Sequence, residues 1–430
     1  MDISIIGSGH VGLVTGAALA HRGHRLLCVD SDLKKIQGLR EGKLPFFEPG
    51  LDALVHAGCR SDRLSFGTSA AEAVAFGRVV FICVPTPATP EGGADLAFVD
   101  AVARDIARSL TDYRLVVEKS TVPVNTGERL RATLSEFAPP EAEVDLASNP
   151  EFLREGAAVE DALRPDRVVI GVSNARSERL LREIYAPFDA PLVVTDIRSA
   201  ELIKHASNSF LALKISYINA VGEICERAGA SVMDVARGMG LDPRIGHAFL
   251  RAGIGYGGSC FPKDVAAFNA IARDLGYDFG LLREVERINR EARDRFVAKV
   301  AAELRGCEGR VIAALGLTFK PNTDDLRESV SVTVARRLEA LGASLRTYDP
   351  RANGHVRTLL PGATVCSTAY EAARGAECAL ILTEWDEFRR LDFDRLRSVM
   401  AHPLIIDGRN LLEPEQIRAR GFTYRSVGRP

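Results

Sequence analysis

The chain has 430 residues, 46% apolar and 26% charged, an ordinary balance for a folded globular protein and too long for one hydrophobic core, so two or three domains are expected. A formal charge of −2 gives no basis for a nucleic acid or an anionic membrane as partner, and no apolar run approaches the roughly 18 residues that a membrane-spanning helix needs. Eight scattered cysteines without a C-x-x-C pair argue against a zinc site and a secreted disulfide framework. No metal is therefore expected. The chain opens straight into an apolar strand, so no signal peptide is expected and a reducing cytoplasm is the expected setting.

From residue 1 to about 195, the runs DISIIG, RLLCVD, VVFICVP, RLVVEKS, VDLASNP and RVVIGV alternate with helical periodicity, which predicts a parallel sheet covered on both faces. The first turn, ISIIGSGHVG, spaces Gly7, Gly9 and Gly12 as G-x-G-x-x-G between a strand and a helix. The first glycine permits the tight turn, the second lets a pyrophosphate approach the backbone, and the third lets helix pack on strand. The helix start then offers N–H groups and a positive dipole to phosphate. Asp30, at the end of the second strand, is placed to accept hydrogen bonds from a ribose 2′-OH and to repel a 2′-phosphate, so the expected cofactor is NAD rather than NADP. Further on, EKSTVP puts Ser120 and Thr121 just past a strand end, where open α/β sheets bind ligands, and NPEFLREG puts Glu151 and Glu155 after another strand.

From residue 196 to 301 the strand signal disappears. SAELIKHASNSFLALKISYINAVGEICERAGA has few breakers and many small residues, which predicts one long, closely packed helix. Lys204 and Asn208 share one face of it, among Leu202, Ile203, Ala206 and Phe210. A lysine in such surroundings can handle a proton or an alkoxide, or it can be structural, and spacing alone leaves both readings open. GYGGSCFPKD, residues 255–264, sets one cysteine among three glycines. A free cysteine is usually a small buried hydrophobe, and a glycine cluster is usually a loop. Pro262, however, suits a first helical position, which leaves Cys260 near the positive end of a helix with Lys263 beside it. Both features favour thiolate over a thiol whose unperturbed pKa is about 8.5. The glycines would let the backbone approach a neighbouring group closely. From residue 302 to 430 alternation returns in RVIAALGL, SLRTYDP, CALILT and LIIDGR. The expected fold class is α/β: two Rossmann-like, doubly wound parallel-sheet domains, residues 1–195 and 302–430, joined by a central helical domain, residues 196–301, with one long helix.

The motifs GSGHVGLVTG, FFEPGLDAL, VPTP, EKSTVP, NPEFLREG, ELIKHASNSFLALKIS, FLRAGIGYGGSCFPKD, LTFKPNTDDLRES and DGRN occur in this order along nearly the whole chain. Together they resemble the UDP-glucose/GDP-mannose dehydrogenase family. GGSCFPKD and FFEPGLDAL look closer to the branch acting on UDP-glucose than to the GDP-mannose or UDP-N-acetylhexosamine branches. The resemblance implies a twofold, NAD-dependent oxidation of C6 of a nucleotide sugar to a uronate, in a homodimer built on the long central helix. Carried over by position, Cys260 would be the nucleophile. Lys204, Asn208 and Asp264 would surround C6 and hold a water, and Thr121 and Glu151 would line the same pocket. NAD would meet Gly7, Gly9, Gly12, Val11 through its backbone, Asp30, Lys35, Thr86, Thr121, Glu155, Lys263 and Arg327. The nucleotide sugar would meet Glu151, Phe152 and Leu153, then the loop Phe249, Leu250, Arg251, Ala252 and Gly253. It would also meet Gly257, Phe319 and Lys320, with Arg244 and Arg409 at positions that contact substrate, one of them donated across the dimer. In this reading Cys260 attacks the aldehyde made by the first oxidation; the thiohemiacetal is oxidised to a thioester, which water cleaves. Two rival readings use the same first domain. A two-electron β-hydroxyacid dehydrogenase would need neither Cys260 nor the third domain. A silent NAD-binding regulator would be free to lose Cys260, Lys204 and Asp264 together.

Overall fold

A computed structural model describes residues 1–430. The chain resolves into two compact units, one formed by Met1–Ser207 with Ala266–Tyr277, the other by Asn208–Val265 with Asp278–Pro430.

The first unit is built on eight strands: β1 Asp2–Ile6, β2 Arg25–Val29, β3 Leu64–Gly67, β4 Val79–Ile82, β5 Arg114–Glu118, β6 Val144–Ser148, β7 Val168–Gly171 and β8 Leu192–Thr195. Their order is β3-β2-β1-β4-β5-β6-β7-β8. Strands β1 to β6 are parallel, as their apolar runs predict. RVVIGV is the exception: β7 meets β6 antiparallel through Ser148 and Gly171 alone, and β8 then runs parallel to β7. Successive residues of the central strands feed two different cores. Val79 and Phe81 of β4 enter one apolar cluster, Val80 and Ile82 the other. That period of two is the signature of a sheet with helices on both faces.

The second unit repeats the plan with β9 Val311–Leu315, β10 Ser344–Tyr348, β11 Thr364–Val365, β12 Cys378–Ile381, β13 Leu404–Asp407 and β14 Thr423–Ser426. All are parallel, in the order β11-β10-β9-β12-β13-β14. This is the strand order of the first six strands of the other sheet, and each sheet reverses its winding beside its first strand. The four strands without a clear signal in the sequence, β3, β8, β11 and β14, are the four sheet edges.

The predicted long helix spans Ile197–Ala228, 32 residues, and so extends about 48 Å. Asp196 caps it by accepting the Ser199 N–H at 2.9 Å and the Ser199 hydroxyl at 2.6 Å. Gly229, at φ 71°, follows its end. Within the second unit, Ser216 of this helix donates to Val285 O (2.8 Å) and Asn219 Oδ1 accepts the Gly253 N–H (2.8 Å). Phe210, Tyr217 and Ile224, seven residues apart on one face, are each more than half exposed.

Candidate active site

The glycine turn lies beside β1, at the point where the strand order of the first sheet reverses. Gly7 adopts φ 102°, and a Cβ there would strike the Cys83 carbonyl; a Cβ on Gly12 would strike the Gly7 carbonyl. A Cβ on Gly9 would meet nothing within 4 Å, so the turn is open on that side. Gly9 caps the helix His10–His21 without a side-chain acceptor, which leaves the first-turn N–H groups, Val11 among them, to a ligand. Asp30 follows β2. Its Oδ2 accepts the Ser8 N–H (2.9 Å) and Lys35 Nζ (2.7 Å), and Oδ1 accepts the Asp32 N–H (3.0 Å). Burial pushes this carboxyl up, but the Lys35 and backbone hydrogen bonds outweigh it and hold Asp30 below the usual carboxylate range. An open glycine turn beside an ionised, correctly placed aspartate fits a dinucleotide with a free 2′-OH. Thr86 and Thr121 also come together here, the Thr86 hydroxyl donating to Thr121 O at 2.8 Å.

Lys204 is buried, and its partner is a carboxylate. Nζ donates to Glu151 Oε1 at 2.9 Å, both side chains being about 5% exposed. Glu151 Oε2 accepts the Leu153 N–H (2.6 Å), and the Phe152 ring lies 5.5 Å from Lys204 Nζ and 3.9 Å from the Arg167 guanidinium. Thus the structure brings Lys204, Glu151, Phe152 and Leu153 into one cluster. Sequence reasoning missed several neighbours. Lys119 is buried and donates to Asn149 Oδ1 (2.9 Å); burial pushes its amine down to about 8. Glu201 Oε2 and Oε1 accept the N–H groups of Asn125 (2.8 Å) and Gly127 (2.7 Å), capping the helix Thr126–Phe137. The His205 ring lies 2.8 Å from Val122 O. Glu201 and His205 therefore flank Lys204 on the long helix and hold the loop that carries Thr121. Only their i, i+3, i+4 spacing to Lys204 and Asn208 hinted at this shared face.

In the second unit, Asn208 stands one helical turn beyond Lys204. Its Nδ2 donates to Asp264 Oδ2 at 2.6 Å, and Asp264 Oδ1 lies 3.1 Å from Lys263 Nζ. Cys260 occupies the start of the helix Phe261–Asp274, its carbonyl accepting the Asp264 N–H at 2.8 Å. Pro262 is the second helical residue rather than the first. Six of the eight cysteines are buried, and the two half-buried ones are Cys59 and Cys260. The glycines before Cys260 closely approach protein: Gly255 abuts Asn289, Gly257 the Glu328 carbonyl and Gly258 the Phe319 ring. Asn289 secures the loop through Tyr256, accepting its N–H (2.8 Å) and donating to its carbonyl (3.0 Å).

The loop 249–253 is pinned on both sides. Phe249 has φ 65°, Leu250 and Ala252 are buried, Arg251 donates to Asn410 O (2.9 Å), and Asn410 donates to Ala252 O (3.2 Å). A side chain on Gly253 would press on the Gly408 carbonyl. Arg409 is half-buried, with Nε on Leu382 O (2.7 Å), Nη1 on Gly255 O (3.0 Å) and no acceptor for its shielded Nη2. Burial lowers its pKa, and Glu384 at 3.4 Å opposes that. Phe319 and Lys320 follow β9 at the reversal point of the second sheet, with Lys320 Nζ 5.3 Å from the Phe319 ring. A guanidinium with a shielded, unused donor suits an anionic or carbonyl-rich ligand. Arg327 pairs with Asp325, and Arg244 pairs with Asp242 while its side chain is 87% exposed. Glu155 lies half-buried on the loop after Glu151.

Three family models match the chain in succession: the NAD binding domain over residues 1–189, the central domain over 198–291 and the UDP binding domain over 313–414 of UDP-glucose/GDP-mannose dehydrogenases. The chain belongs to the UDP-glucose/GDP-mannose dehydrogenase family. It is 48% identical to a UDP-glucose 6-dehydrogenase of Rhizobium meliloti, over 100% of both chains. It is 45% identical to the UDP-glucose 6-dehydrogenase YwqF of Bacillus subtilis, over 100% of this chain and 98% of that one. The solved UDP-glucose dehydrogenase of Pyrobaculum islandicum superposes with a TM-score of 0.94 at 39% identity, covering 100% and 98% of the two chains. As a member of this family the protein is an NAD-dependent oxidoreductase. Gly7 to Glu155 fall in its NAD-binding segment, Lys204 to Asp264 in its central segment, and Phe319 to Arg409 in its UDP-binding segment.

Glu118, at the end of β5 beneath this site, generates a stability prediction. It is fully buried and neither oxygen accepts a hydrogen bond of good geometry. Burial raises its pKa from 4.5 to about 8, Ser120 offsetting part of this and Glu201 adding to it. The folded protein therefore holds a proton that the unfolded chain releases, so wild-type stability falls as pH rises from about 4.5 to about 8. Glu118→Gln is neutral throughout. Its advantage over wild type should be small at pH 5 and grow to roughly 2 kcal/mol or more by pH 9. Thermal melts at both pH values check this, and an advantage that shrinks with pH contradicts it.

Proposed function

We propose that this protein oxidises C6 of UDP-glucose twice, giving UDP-glucuronate. The observation that carries the reading is the burial of Lys204 against Glu151 in the first unit. In the second unit Asn208 is bonded to Asp264, which stands one turn after Cys260. NAD, when bound at the glycine turn and Asp30, supplies the hydride acceptor for both oxidations. Lys204 holds the C6 oxygen and manages its proton, with Glu151 fixing the ammonium. The Cys260 sulfur adds to the C6 aldehyde, and its later thioester keeps the intermediate attached. Asn208 and Asp264 orient the water that cleaves the thioester. Arg409, Lys320, Gly257 and the loop 249–253 hold the nucleotide sugar, while Thr86, Thr121, Glu155, Lys263 and Arg327 complete the cofactor site. Support for glucose over other sugars comes from the relatives at 48% and 45% identity, which are named for it.

The same reading divides the work among residues 1–195, 196–301 and 302–430, and takes the protein as a cytoplasmic homodimer. The free cysteines agree with that setting, and no helix is long and apolar enough to cross a membrane. The face of Phe210, Tyr217 and Ile224 on the long helix is taken as the dimer seam, since an exposed apolar stripe marks an interaction surface. Arg244, exposed and tethered only by Asp242, is the arginine offered to the neighbouring subunit.

Three experiments test this function. On UDP-glucose, GDP-mannose, UDP-N-acetylglucosamine and UDP-N-acetylmannosamine, NADH absorbance should rise fastest with UDP-glucose; faster turnover of any other reassigns the branch. Wild type should form two NADH per sugar without free aldehyde. Cys260→Ala should lose net uronate formation, and Cys260→Ser should accumulate an oxygen ester visible by protein mass spectrometry. Two NADH per sugar from Cys260→Ala at a near wild-type rate would make this cysteine a bystander. Finally, NAD should exceed NADP by roughly tenfold or more in kcat/KM, because a 2′-phosphate displaces the hydrogen bonds of Asp30 and meets its charge. Asp30→Ala should narrow that preference by freeing Lys35 to face the phosphate, and an unchanged ratio counts against the assignment.

A further inference from the structure

FFEPGLDAL has so far no role. Its glutamate, Glu48, has a side chain fully shielded from solvent, although a carboxylate is among the groups least suited to burial without partners. Its partners come from two different segments. Oε1 accepts the Ala158 N–H at 2.8 Å, and Oε2 accepts the Gly156 N–H at 2.7 Å. Oε2 also lies 2.9 Å from His10 Nε2. Gly156 and Ala158 end the loop that begins with Glu151 and carries Glu155, at the start of the helix Ala158–Leu163. Gly156 sits at φ 79°, a conformation that turns its N–H toward this carboxylate at no steric cost. His10 is the first residue of the helix that opens from the glycine turn, and its ring stacks on Phe46, two residues before Glu48, at 4.6 Å.

The far ends of the same two helices are joined independently. Arg22, just past the end of His10–His21, donates to the carbonyl of Leu163 at 2.6 Å. The dinucleotide-turn helix and the helix after the Glu151 loop are therefore tied at both ends, but only the Glu48 tie lies at the end facing the cofactor.

We infer that Glu48 is a positioning residue for the reaction: one buried carboxylate locks the loop of Glu151 and Glu155 to the dinucleotide turn. Order in the turn is then order in the loop, and the carboxylate that holds Lys204 is set in place by the same contact that shapes the cofactor cradle. This rests on the role proposed above for Glu151, whereas the cofactor arm of the test below requires no sugar. Glutamine at this position keeps size and shape, but its NH2 faces one of two backbone donors that need an acceptor.

The test compares Glu48→Gln, Glu48→Asp and Arg22→Ala in the full chain, with thermal melts, calorimetric titration of NAD without substrate, and steady-state turnover of the best nucleotide sugar. Arg22→Ala removes the distant tie and should lower the melting temperature while NAD affinity and kcat stay within about twofold of wild type. Glu48→Gln, assayed well below its melting temperature, should weaken NAD binding and lower kcat, each by roughly tenfold, with KM for the nucleotide sugar changed much less. Glu48→Asp, which keeps the charge but is one methylene short, should shift both in the same direction and serves if the glutamine variant does not fold. A folded Glu48 variant with either NAD affinity or kcat within twofold of wild type, whatever its melting temperature, overturns the coupling. Loss of activity on UDP-glucose with every variant and with wild type would instead strike the substrate assignment and leave the NAD titrations to decide the role of Glu48.

Discussion

The buried ion pair between Lys204 and Glu151 is the constraint around which the first unit is arranged. Removing two opposite charges from water is costly, and attraction repays it only where the remaining polar atoms are also satisfied. Here the second carboxylate oxygen takes the Leu153 N–H, and the Phe152 ring lies near both Lys204 and Arg167. A lone ammonium in this position would be forced toward neutrality, whereas a paired one can keep its proton and still sit in a shielded site. The pair also welds the end of β6 to the long helix, so the helix register is set by chemistry as well as by apolar packing.

That register spreads outward. With Lys204 fixed, Glu201 lies one turn before it and His205 immediately after, and both reach the loop that holds Thr121. One turn further on, Asn208 meets Asp264, which places the helix carrying Cys260 relative to its own unit. A rigid element with side chains locked by hydrogen bonds holds its neighbours more accurately than a loop could. Around this face the buried titratable groups are unevenly compensated. Lys119 has Asn149 and is pushed down to about 8, while Glu118 lacks a good donor and is pushed up to about 8. With those values Glu118 is mostly protonated and neutral near pH 7, whereas Lys119 still carries most of its charge.

The second unit meets its own constraint with glycine. The stretch before Cys260 has to pass the Asn289 side chain, the Glu328 carbonyl and the Phe319 ring so closely that a Cβ at Gly255, Gly257 or Gly258 would collide. Arg409 is threaded into the same region, satisfying Leu382 O and Gly255 O and keeping one donor unused. Close packing of backbone against protein, rather than access for a ligand alone, explains why side chains are missing there.

The sequence by itself determined the class of fold and the nature of most of the chemistry. Central strands such as VVFI and CALI are buried on both faces and therefore appear as uninterrupted apolar runs, and the glycine spacing before Asp30 marks the cofactor turn by local geometry alone. Lys204 and Asn208 were legible as one face because helical spacing is local. The edge strands β3, β8, β11 and β14 were not, since a strand only half covered needs no continuous apolar run, and the reversal at β7 rests on a single pairing at Ser148 and Gly171. Nor could spacing find the partners of charged groups. Glu151 is 53 residues from Lys204, Asp264 is 56 from Asn208, and Glu48 is 108 from Gly156. Burial of charge is decided by what the rest of the chain brings to meet it, and that is a property of the tertiary structure.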